Sequence, residues 1–177
     1  MGTSFGWTAR GARRGSTASV AVAAAVAAWM ALPGAAMAGD AKGALAYKDR
    51  SATLRYAYRV TGPDAVDPKK RIQRLILTSS DIGAKLGACK AMSCTDGSVT
   101  EGMTLDIDNG PRMSYWVALN DQRVQYSGTA RPEALTARTK EPARIAGTLR
   151  IDDSAAGGAK IEAEFDAALV KEFSAAR

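Results

Sequence analysis

Few residues in this chain are placed to do chemistry, and their types limit what that chemistry is. Asp106 and Asp108 alternate along one strand-like stretch, and Asp152-Asp153 lie in a turn composition. Paired carboxylates bind calcium or act as acid and base. The run Asp106-Ile107-Asp108-Asn109-Gly110 has its glycine at the fifth place, not the sixth, and lacks the distal glutamate. It reads as a solvated strand end entering a turn. Ser79-Ser80-Asp81 and Lys85 offer hydroxyls and an amine, yet neither S-x-x-K nor G-x-S-x-G occurs. Helix capping accounts for them. Gly157-Gly158 is a turn, and no G-x-x-x-x-G-K-[ST] is present. There is no histidine, which excludes Ser-His-Asp and Cys-His catalysis and every His-ligated metal. Two cysteines cannot build a four-cysteine zinc cage or an iron–sulfur site. No catalytic residue, metal or cofactor is expected, and an enzyme of unknown type ranks third among the functional readings.

Binding is the stronger prospect. Arg55 and Arg59 project from one strand face, and Lys69, Lys70, Arg71 and Arg74 follow closely. Residues 39–90 carry a balance of +6 and residues 91–177 a balance of −3. A basic half of this kind attracts an anionic envelope component or an acidic protein; the plainer alternative is a solvated edge that discourages strand pairing. Trp116 falls on the polar side of its strand, where it stacks a ligand ring or is covered by another element. Nucleic acid is not expected, because the charge is modest and no binding motif is present.

The compartment follows from the first 38 residues. Arg10, Arg13 and Arg14 precede an Ala-rich stretch, Ala18 to Leu32, which Pro33-Gly34 ends before Ala36-Met37-Ala38. A charged segment, an apolar segment and an A-x-A site compose a secretory signal. The stretch is shorter than the roughly 20 residues a spanning helix needs. The expected mature chain therefore starts at Gly39, is periplasmic or secreted, and has no transmembrane segment. Its length of about 140 residues suits one domain. In an oxidising compartment Cys89 and Cys94, with four residues between them, form a local structural disulfide; redox-active pairs use C-x-x-C.

These residues must be positioned by strands, because the dominant periodicity is two. Ile145, Gly147, Leu149 and Ile151 alternate against Arg144 and Arg150, and Ile161, Ala163 and Phe165 against Glu162 and Glu164. Pairing Ile151 with Ala159 and Leu149 with Ile161 puts every apolar residue on one side, as a one-sided core requires. An Asn120-Asp121 turn pairs Val117 with Val124 and Tyr115 with Tyr126, leaving Ala118 beside Arg123. An odd loop through Pro111 pairs Ile107 with Met113 and Leu105 with Tyr115, continuing a stripe that begins at Val99 and Met103. An Asp49-Arg50 reversal sets Leu45 and Tyr47 against Leu54 and Ala52, after which Tyr56, Tyr58 and Val60 point inward and Arg55 and Arg59 outward. Arg71–Thr78 reads as buried on both faces, and Ser80 as the cap of a short helix through Lys90 with Ile82 and Leu86 on one side.

About eight hairpin-joined strands and one short helix predict an all-β fold, an antiparallel β-sandwich or a small barrel. The functional expectation is a non-enzymatic, exported envelope binding module that uses Arg55, Arg59, Lys69, Lys70, Arg71, Arg74 and Trp116. The alternative is a proteinaceous inhibitor of an envelope hydrolase.

Overall fold

The computed structural model describes residues 38–108, 110–120 and 125–177. The expected signal before Ala38, Asn109, and the Asp121, Arg123 and Val124 positions of the middle hairpin lie outside those residues. The fold is all-β. Its strands are β1 (Gly39–Tyr47), β2 (Arg50–Pro63), β3 (Arg71–Thr78), β4 (Gly102–Ile107), β5 (Met113–Ala118), β6 (Tyr126–Ala130), β7 (Leu135–Glu141), β8 (Arg144–Asp152) and β9 (Lys160–Glu172). A short helix α1 (Gly83–Ala88) and a 3-10 turn at Met92–Gly97 lie between β3 and β4. No helix among the described residues is long and apolar enough to cross a membrane.

All nine strands form one sheet in the order β6-β5-β4-β3-β2-β1-β9-β8-β7. Neighbours are antiparallel, and where β1 has not yet begun, β2 and β9 pair directly in parallel from Tyr58↔Ala168 to Thr61↔Glu172. The sheet curls into a half-barrel. Its main core gathers Leu45, Leu54, Leu75, Leu105, Tyr115 and Phe165 from strands far apart in the sheet order, which only an inner, concave face allows. At one end of the curl the Tyr47 and Tyr126 rings lie 5.1 Å apart, and the Tyr115 hydroxyl donates to Asp153 beyond β8.

A second core sits on the convex face. Tyr58, Val60, Ile72 and Ile76 are covered there by Ile82, Leu86, Met92 and Phe173. Met92 and Ser93 donate backbone N–H groups to Ala175 and Ala176, tying the chain's last residues to this cover. The Cys89–Cys94 disulfide is formed, with Cα atoms 5.5 Å apart, and joins the end of α1 to the 3-10 turn. The Lys171 ammonium donates to the carbonyls of Gly87 and Cys89. As expected for β3, Leu75 and Leu77 enter the concave core and Ile76 the convex one.

Several expected pairings move by two residues without changing face. Leu45 pairs with Ala52 across a Lys48-Asp49 turn, in which Lys48 takes φ 56°. Val117 pairs with Tyr126, and Ile151 with Ile161. Leu105 pairs with Tyr115, as the odd loop required. The helix is shorter than expected, and its first turn is held by Asp81, which accepts from the Gly83 N–H at 2.8 Å; Ser80 contributes no cap. Val99 precedes β4 and packs on the convex face instead of extending the β4 stripe.

The face assignment of β2 changes along its length. Ala52 and Leu54 face the concave core, but past the slip in the β1–β2 pairing between Asp40 and Gly43 it is Ala57 that does so. Tyr58 and Val60 consequently join the convex core. Arg59 turns inward, contrary to the alternation carried straight through from Leu54.

Candidate functional site

The register of β3, β4 and β5 builds one concentrated polar feature on the convex face. Arg74 of β3 is opposite Asp106 of β4, and Trp116 of β5 is opposite Thr104 of β4. Arg74 is 6% exposed. Its Nε donates to Asp106 Oδ1 at 2.6 Å and its Nη2 to Asp106 Oδ2 at 2.7 Å, a bidentate fork. Nη1 donates to the Thr95 hydroxyl at 2.9 Å and to Asp96, both brought in by the 3-10 turn. The guanidinium carbon lies 5.9 Å from the centroid of the half-buried Trp116 ring.

Burial opposes the Arg74 charge, but Asp106 and Asp96 outweigh it and hold the guanidinium above its usual range. Burial pushes the Asp106 carboxyl up, Arg74 draws it back, and the neighbouring carboxylates of Asp96 and Asp64 add repulsion. Asp106 is thus a largely buried ion-pair partner, its side chain 14% exposed, not the solvated strand end its spacing suggested.

Over this cluster lies a cleft of about 400 Å³, within the range of small-ligand sites. Trp116, Ile72 and Val99 supply apolar wall; Asp96, Asp108 and Arg112 supply polar lining. The remaining edge is the β2–β3 loop. Asp64 Oδ1 accepts from the N–H groups of Val66 at 2.6 Å and Asp67 at 2.9 Å, and the loop closes through Asp64 N–H to Lys70 carbonyl at 2.9 Å. Those amides, of Asp67 first, hold the Asp64 carboxyl below its ordinary range. At the loop's tip Val66 is 93% exposed.

Of the residues expected to bind, the structure brings Arg74 and Trp116 together and disperses the others. Arg55 is exposed in the first half of β2, about 26 Å along the strand from Pro63 at 3.3 Å per residue. Lys69 and Lys70 are exposed on the loop beyond Pro63, and Arg71 is ion-paired to Glu172. Arg59 is 7% exposed and lies inside, its Nη1 donating to the carbonyls of Glu141 at 2.9 Å and Pro142 at 3.0 Å. The expected outward Arg55–Arg59 pair therefore does not form. Nor do the six cations share a face: one is internal and two are neutralised by carboxylates.

The acidic partners Asp64, Asp96 and Asp106 were not expected as site residues. Pairing β3 with β4 by parity would have set Arg74 against Asp106. No pattern in the sequence places Asp96 beside them, since that needs the path of the disulfide loop. No family model, no curated protein and no solved structure matches this chain.

Proposed function

We propose that the protein is an exported, non-enzymatic binding module of the cell envelope, and that its ligand occupies the convex-face cleft beside Trp116. The cleft carries this reading. It combines an aromatic wall, a rigid polar floor and a preorganised rim loop, and preorganisation lowers the ordering cost of binding. The signal-like composition of residues 1–38 and the Cys89–Cys94 bridge support an oxidising compartment. The basic face loses its place in the proposal, because its cations are scattered.

Low-mass material released on denaturing protein taken from an envelope fraction tests the reading. Wild type should release a species that Trp116→Ala does not. Identical profiles from the two would overturn it.

One observation favours a hydrolase inhibitor as the second reading: Val66 stands out at the tip of a hydrogen-bonded loop. An exposed apolar residue on a rigid loop is a suitable anchor for a partner's pocket. Inhibition of envelope hydrolase activity that is lost in Val66→Asp would favour this role over small-ligand binding.

A further inference from the structure

Resting on the reading of the cleft as the binding site, we infer that its ligand is an organic cation, an ammonium or guanidinium group carried on an apolar body. The charge balance opposes an anion. Arg74 has little capacity left for an anion, because Asp106, Asp96 and Thr95 engage four of its five N–H donors and two carboxylates already offset its charge. With Arg74 and Asp106 cancelling, the lining retains Asp64, Asp96 and Asp108 against Arg112, and Lys70 next to Asp64 still leaves carboxylates in excess. Each of those three carboxylates has one oxygen already engaged: Asp64 by backbone amides, Asp96 by Arg74, and Asp108 by the Gly110 N–H at 2.8 Å. The second oxygen of each remains to accept from a donor. Ammonium and guanidinium groups are donors only, so they satisfy these acceptors and the local charge together. Ile72, Val99 and the indole of Trp116 suit the apolar body, and the indole also attracts cations.

The same chemistry comes from a free amine or from a lysine side chain of a protein, and the probes separate them. In the full chain, Trp7→Phe and Trp29→Phe leave Trp116 as the sole indole. Its emission is followed during titration with n-hexylamine, n-hexanol, n-hexanoate and Nα-acetyl-lysine methylamide. Saturable binding of an amine at least tenfold tighter than hexanol or hexanoate, weakening as salt rises, is the expected result. Hexylamine as the tighter amine identifies a free ligand; the lysine amide as the tighter identifies a protein side chain.

Removing one carboxylate about 6 Å from the ligand charge in a water-like medium lowers affinity about threefold, so Asp64→Asn with Asp96→Asn should lower it about tenfold. Asparagine keeps an acceptor oxygen for the loop amides and for Arg74, and an unchanged far-ultraviolet circular dichroism spectrum with a single cooperative melt confirms the fold. Hexanol or hexanoate binding as tightly as the amines would overturn the cation inference and leave the cleft as a site. Emission unmoved by every probe would overturn both.

Discussion

Exchanging Arg59 for glutamate tests the interior of the half-barrel directly, with Arg55→Glu as its control. The Arg59 guanidinium makes two charged-donor hydrogen bonds to the carbonyls of Glu141, at the end of β7, and Pro142, in the turn to β8. Bonds of this kind contribute about 1.5–3 kcal/mol each. Glutamate would lose both and set a carboxylate against two carbonyl oxygens, where no described carboxylate pairs with Arg59 and so no compensating charge balance exists to invert. An uncompensated buried charge costs about 3–5 kcal/mol. A loss of at least about 4 kcal/mol is expected, a large part of the 5–15 kcal/mol typical of a domain. Arg59→Met keeps the apolar stem and orphans the two carbonyls, but relieves the burial of a guanidinium whose Nε has no partner. Its net loss should be about 1–3 kcal/mol. Arg55→Glu, on an exposed strand position, should stay within about 0.5 kcal/mol. With a urea slope of about 2 kcal/mol per molar, Arg59→Glu should lower the unfolding midpoint by about 2 M, and Arg59→Met by about 0.5–1.5 M. Arg59→Glu and Arg55→Glu unfolding within about 0.3 M of each other would refute the internal placement of Arg59 and the face exchange in β2 that causes it.

Reduction of Cys89–Cys94 opens a loop of about six residues, for which chain entropy assigns about 2 kcal/mol; a calorimetric Tm lower by about 4–8 °C in reductant is expected, and thiol labelling of denatured, unreduced protein should find no free sulfhydryl. The Asp64 carboxyl is held below its usual range in the folded protein, so its contribution to the loop is present above the unfolded-chain value near 3.9 and lost as pH falls through the lower folded value. The Val66 amide resonance should therefore titrate below the ordinary carboxylate range, and its movement at or above that range would contradict the hydrogen-bonded loop. At Gly43 an added Cβ would lie 2.1 Å from the Glu162 carbonyl oxygen, so Gly43→Ala should cost at least about 2 kcal/mol by urea unfolding, whereas Gly87→Ala, where nothing lies within 4 Å, should not destabilise.

The faces of the strands are more legible in the sequence than their partners. In the first, middle and last hairpins the expected pairings are each displaced by two residues, yet apolar residues still meet apolar residues. A one-residue slip would turn Leu149 and Ile151 to solvent, whereas a two-residue slip preserves the alternation and is decided by turn geometry instead. Lys48 in a left-handed turn conformation shows how weakly composition marks such a turn. Strand β7 is hard to see in the sequence because it is a sheet edge with largely exposed residues, including Arg138 and Lys140, and carries little apolar stripe. The site divides along the same line. Arg74 and Trp116 are visible as residue types, but composition alone counts Arg74 as a free cation. Whether a cation remains free depends on which carboxylate the register sets across from it: Asp106 faces Arg74, Glu172 reaches Arg71, and no described carboxylate reaches Arg59. A basic run in a sheet protein therefore predicts an anion-binding face only after its strands have been paired. Here that pairing buries Arg59 and Arg74, neutralises Arg71 and Arg74, and leaves carboxylates in excess around Trp116.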